Sequence, residues 1–247
     1  CYDPVMTVIS VKGVDGTGIL NMIHYGCHGT AAGCNHEISR DWSGIMCDRL
    51  EAVTGTMTAY WNGAQGDVGP RLTNGQTVGD IHYVEELGGV AAQDALRAYR
   101  DIDSYHTVNF AVKKDAVHLP YRELPPLDEV RAKLAGYKNP DELYNIQRLM
   151  NGHWRDVEKV LSSGETGHPT HFTFQQTIVT LGNVAFVPFP YEMFSAITRR
   201  LSANSPYTHT LSLSNTNGYN AYLPSQDQIC LGGYEVECFV AGAVYTL

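Results

Sequence analysis

The pattern of apolar residues changes along the chain between the period of a strand and the period of a helix. Apolar, β-rich residues at 5–11 and 19–25 flank VDGTG, which predicts a β-hairpin. A helical spacing follows over 36–55, ending at Gly55, in the apolar residues Ile38, Trp42, Ile45, Met46 and Leu50. Residues 57–61 predict a short strand that leads into the glycine-rich stretch NGAQGDVGP at 62–70.

Predicted helices and strands continue to alternate irregularly in the rest of the chain. Helices are predicted at 78–99, 127–136, 140–162 and 191–201. Extended segments are predicted at 106–119, 172–190 and 208–213, the second being a hairpin that turns at Gly182 and Asn183. This order predicts one α+β domain over 1–247, with mixed sheets, hairpins and flanking helices, in which 120–165 is a helical insertion.

Composition narrows the possible partners. The chain has 247 residues, 43% hydrophobic and 17% charged, which is typical of a globular protein. A net charge of −9 argues against nucleic acid or an anionic membrane as a partner. No run approaches the ~18 apolar residues of a transmembrane segment. The six cysteines show no CxxC spacing, so they indicate neither a disulfide framework nor a CxxC zinc motif.

The neighbouring sequence makes two histidines and one glutamate candidates for metal-binding or catalytic residues. His24 and His28 lie four residues apart on a strand-like run, so they are expected on the same face. His28 leads into HGTAAG, a loop suited to the mouth of a binding site, and imidazole is a good zinc ligand. Glu192 lies among apolar residues, which favours a paired or metal-bound carboxylate, although a helix first turn would also accept it.

The glycine-rich stretch is predicted to bind substrate. Its glycines allow the backbone to approach a ligand closely. The residues assigned to substrate binding are Asn62, Gly66, Asp67 and Gly69, together with His24. Without further context, Tyr222 and Tyr234 are two of fifteen tyrosines and are expected to serve in packing.

Four segments in the same order resemble the neutral ceramidase family of zinc amidases: YGCHGT, NGAQGDVGP, FPYEMF and NGYNAYLPSQDQICLGGYE. The resemblance implies that His28, Glu192 and Tyr222 bind zinc. Tyr234 lies twelve residues after Tyr222 and precedes a glutamate, as in the family, which implies that it polarises the substrate carbonyl.

Three departures from the family pattern shape the functional prediction. The family's other zinc-binding histidine lies upstream, so the resemblance implies a companion N-terminal segment or chain. The family's nucleophilic serine is replaced by Gly69, so attack would come from a water activated at the metal or from Cys1, whose α-amine could act as its base. The family's C-terminal β-sandwich, associated with lipid substrates, is not matched, so the substrate need not be ceramide, and an N-acyl amine and a peptide-like amide are equally compatible with the sequence.

Three functions follow from this interpretation. The leading one is zinc-assisted hydrolysis of a linear amide bond. The second is an autoprocessed amidase or acyltransferase that uses Cys1 and no catalytic metal. The third is a non-catalytic relative that binds a ligand, which the glycine at position 69 favours.

Overall fold

The elements of the chain come in an irregular order of strands and helices. A computed structural model describes residues 2–139 and 142–246. The strands are β1 (Thr7–Lys12), β2 (Gly18–Tyr25), β3 (Thr58–Asn62), β4 (Phe110–Pro120), β5 (His171–Leu181), β6 (Val184–Pro188), β7 (Glu192–Met193), β8 (His209–Leu213) and β9 (Tyr222–Leu223). The helices are α1 (Asp41–Thr54), α2 (His82–Arg100), α3 (Leu127–Ala135), α4 (Ile146–Ser162), α5 (Ser195–Ala203), α6 (Gln226–Ile229) and α7 (Tyr234–Ala241).

The first sheet has the order β1-β2-β3, with His24 near the end of its central strand and His28 in the loop that follows. The predicted hairpin is confirmed, since β1 and β2 pair antiparallel, and β3 adds to β2 in parallel after the α1 crossover. Successive residues of β2 are buried on opposite faces. Ile23 packs into a cluster with the apolar faces of α1 and α2, whereas Met22 packs against the second sheet.

The second sheet has the order β4-β5-β6-β8. Its β5–β6 hairpin turns at Gly182 and Asn183, as the sequence predicts, and β8 lies parallel to β6. Phe186, Leu211 and Leu213 from this sheet pack against Met22 of the first. Both sheets therefore mix parallel and antiparallel pairs, and the prediction of an α+β fold with mixed sheets is confirmed.

The third sheet is a pair of two-residue strands, β7 and β9, which places Glu192 directly beside Tyr222. Here the prediction of a helix starting at residue 191 is wrong, because α5 begins only at Ser195. The Glu192 N–H donates to the Ala221 carbonyl at 2.9 Å, and the Phe194 N–H donates to the Leu223 carbonyl at 3.0 Å. These distant partners hold 192–194 extended, which a local pattern of helix formers does not reveal.

The middle of the chain contributes helices that support the site from one side. Helices α3 and α4 lie within the predicted insertion at 120–165, and α4 packs against both α3 and α7. Because α7 begins with Tyr234, this region supports one wall of the candidate site. Among the described residues, no helix is both long and apolar enough to cross a membrane.

Candidate active site

His28 lies in a loop three residues beyond the end of β2, and both of its backbone polar groups are fixed. Its N–H donates to the Val68 carbonyl at 2.9 Å, and its carbonyl accepts from the Trp42 indole N–H at 2.9 Å. The first bond ties His28 to the glycine-rich loop, and the second ties it to α1. The expectation that His24 and His28 share one strand face is therefore wrong, because β2 ends at Tyr25.

Asp41 organises the loop that follows His28. It adopts a left-handed backbone conformation with φ of 56° at the start of α1. Its buried carboxylate accepts hydrogen bonds from the N–H groups of Ala31 at 3.2 Å, Ala32 at 3.0 Å and Trp42 at 2.8 Å. One side chain thus fixes the HGTAAG loop and the beginning of the helix whose tryptophan holds His28.

The Glu192 carboxylate faces the His28 ring. The distance between Glu192 Oε2 and His28 Nε2 is 3.6 Å, and the glutamate side chain is only 12% exposed. Oε2 is buried and has no hydrogen-bond donor within 3.5 Å among the described residues, whereas Oε1 accepts from Asn215 Nδ2 at 3.4 Å. Besides burial, an interaction of this carboxylate with the Tyr222 side chain raises the pKa of that tyrosine. A buried carboxylate oxygen without a donor is costly unless something else binds it.

Two tyrosine rings extend this pair toward the surface. The Tyr222 ring lies edge-on to the His28 ring with 6.1 Å between centroids, and the Tyr234 ring packs edge-on to Tyr222 at the same centroid distance. Tyr234 is 50% exposed, so its hydroxyl can meet a ligand that enters from solvent. The structure therefore brings His28, Glu192, Tyr222 and Tyr234 together, although they are far apart in the sequence.

Burial controls the protonation states at this site. Desolvation lowers the pKa of His28 below its ordinary value, and the nearby carboxylates of Glu192, Glu235 and Asp67 oppose that shift. Desolvation raises the pKa of Tyr222, and the charge of Glu192 raises it further. His28 is thus a neutral imidazole near pH 7, which is the form that binds metal.

The glycine-rich loop lies directly against the strand that carries Glu192. The Gly66 N–H donates to the Met193 carbonyl at 2.8 Å. Both oxygens of Asp67 accept from Ser195, Oδ1 from its N–H at 2.6 Å and Oδ2 from its hydroxyl at 2.8 Å. Asp67 thereby satisfies an N–H group in the first turn of α5, in the way that a capping side chain does.

Several N–H groups of the loop are already used within the fold. Those of Gly63 and Val68 donate to the carbonyls of Tyr25 and Gln65 at 2.9 Å each, in addition to that of Gly66. In contrast, the N–H groups of Asp67 and Gly69 meet no acceptor within 2–139 and 142–246, and both residues are exposed. These two groups remain free to bind a ligand.

Two other predicted substrate-binding residues have partners inside the protein. His24 is buried, and its Nε2–H donates to the Ser212 carbonyl at 2.8 Å. Asn62 accepts at Oδ1 from the Cys27 N–H at 3.3 Å and donates to the Gln65 side chain. Both residues therefore connect elements of the fold around the site. Cys1 lies outside the described residues.

A cavity of about 700 Å³ lies beside the loops that carry Cys27 and Gly69, and none of His28, Glu192, Tyr222 and Tyr234 lines it. Its lining includes Cys27, Val68 and Gly69 from the two loops, and Leu87 and Ala91 from α2. Burial raises the pKa of Cys27 to about 12, with a further contribution from Asp41, so its thiol is not a reactive group near pH 7. The cavity is therefore separate from the cluster of His28, Glu192, Tyr222 and Tyr234, and its lining also includes charged side chains such as Arg71 and Asp94.

The donor set at this site fits a zinc ion. A neutral imidazole, a carboxylate oxygen without a donor and a phenol face one another, and catalytic zinc sites combine such nitrogen and oxygen ligands with an open position. No group of three or more His, Cys, Asp or Glu suited to a metal is found among the described residues, so the third donor here would be the phenol of Tyr222.

The sequence did not reveal the residues that hold this arrangement. Asp41, Asn215 and the Ser195 partner of Asp67 lie in segments whose local sequence predicts no role at the site. The polar residues at 215–220 are typical of a loop, but no local signal links them to Glu192. The assigned roles of the site residues remain predictions.

The fold is of the kind found in ceramidases. No protein-family model matches the chain, and no curated protein matches it. Among solved structures, it is similar to the neutral ceramidase from Pseudomonas aeruginosa, with a TM-score of 0.64, 17% identity, and coverage of 98% of this chain and 45% of that one. A ceramidase complexed with C2 gives a TM-score of 0.65 and 15% identity, with coverage of 98% and 46%. The chain spans less than half the length of either protein.

Proposed function

We propose that this protein hydrolyses linear amide bonds with the help of zinc held by His28, Glu192 and Tyr222. The observation that carries the proposal is the buried Glu192 Oε2, which has no donor and lies 3.6 Å from His28 Nε2, beside Tyr222. The ceramidase-like fold supports the same reaction class, because a solved neutral ceramidase shares the architecture over nearly the whole chain.

The metal, Tyr234 and the glycine-rich loop each have a separate role in the proposed reaction. A zinc ion at such a site supplies Lewis acidity, which polarises a carbonyl and makes water more acidic. The Tyr234 hydroxyl donates a hydrogen bond to the substrate carbonyl oxygen as negative charge develops there. Its half-exposed ring packs beside Tyr222, within reach of a bound substrate. The free N–H groups of Asp67 and Gly69 are the loop's remaining donors for that oxygen. Because Gly69 has no side chain, the attacking group is water or Cys1.

The substrate is an N-acyl amine or a peptide-like amide. Its polar amide would lie at the exposed edge of the tyrosine pair, beside the half-exposed ring of Tyr234. We also propose that a companion N-terminal segment or chain supplies a further histidine ligand, as the family resemblance implies.

Metal content and a single substitution test this function. The purified protein should contain about one zinc ion per chain by elemental analysis, and chelation should abolish hydrolysis of a panel of N-acyl amines and short peptides. Glu192→Gln keeps the size of the side chain but removes the charge, so zinc affinity and kcat/KM should each fall by at least about 100-fold. Glu165→Gln, in an exposed loop, is the matched control and should change neither.

The outcomes separate the alternatives. Hydrolysis that survives chelation and Glu192→Gln but is lost in Cys1→Ala would favour a cysteine amidase and contradict the zinc mechanism. Stoichiometric zinc without turnover of any amide would favour a non-catalytic binding protein.

A further inference from the structure

Asn215 lies in the loop after β8, at a point where several segments of the site are joined. Its N–H donates to the Tyr191 carbonyl at 3.1 Å. The residue before it, Ser214, donates to the Asn62 carbonyl at 3.0 Å, and the residue after it, Thr216, donates to the Phe189 carbonyl at 2.9 Å. The backbone around Asn215 is therefore held both to the glycine-rich loop and to the segment that enters β7.

The conformation of Asn215 aims its side chain at Glu192. Its φ is 50°, in the left-handed region that asparagine adopts more readily than most residues. From this position Nδ2 donates to Glu192 Oε1 at 3.4 Å. One carboxylate oxygen is thus occupied by a neutral donor, and the other, Oε2, faces His28 with no hydrogen-bond donor in the described part of the chain.

We propose that Asn215 is a positioning residue that fixes the rotation of the Glu192 carboxylate, so that a single oxygen is presented to a metal beside His28. The inference rests on the proposed zinc site and adds a residue to it. An amide N–H on Oε1 makes bidentate binding by the carboxylate less favourable and leaves Oε2 as the ligand oxygen. Hydrogen bonds to metal ligands commonly contribute 10- to 100-fold in metal affinity. At 3.4 Å the bond is longer than the usual ~2.9 Å, so an effect of roughly tenfold is expected here.

The loop contains its own control residue. Asn217 is also exposed and left-handed, with φ of 63°, but within the described ranges its side chain forms no hydrogen bond. Glycine tolerates this backbone conformation, so Asn215→Gly and Asn217→Gly each remove an amide without introducing strain. A difference between the two variants therefore reports on the bond to Glu192.

The experiment measures the zinc dissociation constant by competition with a chromophoric chelator, together with the visible spectrum of the protein loaded with Co²⁺. Asn215→Gly should weaken zinc binding about tenfold and alter the Co²⁺ bands, while Asn217→Gly should match the wild type. Melting of the metal-free proteins checks that both variants fold.

A double-mutant cycle tests whether Asn215 acts through Glu192. In a Glu192→Gln background, Asn215→Gly should weaken zinc binding no further, whereas a merely structural role would keep its tenfold effect. Wild-type zinc affinity and unchanged Co²⁺ bands in Asn215→Gly would overturn this inference and leave the proposed function intact. A wild-type protein that binds no zinc would overturn the proposed function itself.

Discussion

Replacing Gly66 by alanine adds one methyl group where the glycine-rich loop touches the strand that carries Glu192. A Cβ atom on Gly66 would lie 2.9 Å from both the Glu192 and the Met193 carbonyl carbons, and closer still to the Glu192 carbonyl oxygen. These are backbone atoms, which cannot rotate away as a side chain can. The φ of Gly66 is outside the left-handed region, so the effect of the substitution is steric.

The expected destabilisation is the combined effect of overpacking and one lost hydrogen bond. Carbon atoms prefer separations of about 3.5–4.0 Å, so loop and strand must move apart by roughly 1 Å. Overpacking of this kind costs about 1–3 kcal/mol. Loss of the bond from the Gly66 N–H to the Met193 carbonyl adds about 0.5–1.5 kcal/mol. The free energy of unfolding should fall by about 2–4 kcal/mol, which lowers the melting temperature by roughly 4–16 °C for a chain of this size.

Calorimetry and zinc titration on the same samples check both parts of this reasoning. Because β7 carries Glu192, Gly66→Ala should also weaken zinc binding. Gly152→Ala is the control: it lies within α4, a Cβ there meets no atom within 4 Å, and alanine in a helix interior should stabilise the protein by about 0.5–1 kcal/mol. A melting temperature of Gly66→Ala within a degree of the wild type would show that there is room for a Cβ atom between the loop and this strand.

Two further predictions concern backbone strain and pH. Ala221 has φ of 61°, which costs an alanine about 1–2 kcal/mol. Glycine loses about 0.5–1 kcal/mol more than alanine in chain entropy on folding, which offsets part of this gain. Ala221→Gly should therefore raise the free energy of unfolding by about 0.5–1 kcal/mol. A variant less stable than the wild type in chemical denaturation would show that Ala221 is not strained. Burial lowers the pKa of His24 in the folded protein. As the pH falls below ~6.5, this histidine is therefore protonated in the unfolded chain before it is protonated in the folded one. The free energy of unfolding should therefore decrease between pH 7 and 5, and it should decrease less steeply in His24→Gln. Urea titrations at several pH values measure it, and an equal dependence on pH in the two proteins would rule out a contribution from this histidine.

The sequence predicted those helices, strands and turns whose conformation is determined by consecutive residues. The turn before β2, the helical spacing of α1 and the β5–β6 turn were all visible in consecutive residues. The extended conformation of Glu192 was not visible, because it depends on a hydrogen bond to Ala221, a residue distant in the sequence. A two-residue strand carries no period of its own, so only its partner defines it.

The same distinction applies to the site. Taken one at a time, Glu192 could have been a helix-start residue, and Tyr222 a packing residue. Their resemblance to family segments predicted that they act together, and the structure places them side by side in β7 and β9. The supporting contacts of Asp41, Asp67 and Asn215 could not be predicted, since each depends on the three-dimensional approach of segments that share no local signal.

The β7–β9 pair also has a consequence for how the protein is made. The three proposed donors come from near the beginning of the chain and from two places in its last quarter, and the last of them is Tyr222. During synthesis, His28 emerges before either oxygen donor exists. A metal encountered at that stage would find imidazole nitrogen but neither oxygen donor. Selection of the metal is therefore expected only after synthesis has passed β9 and the strand pair has closed.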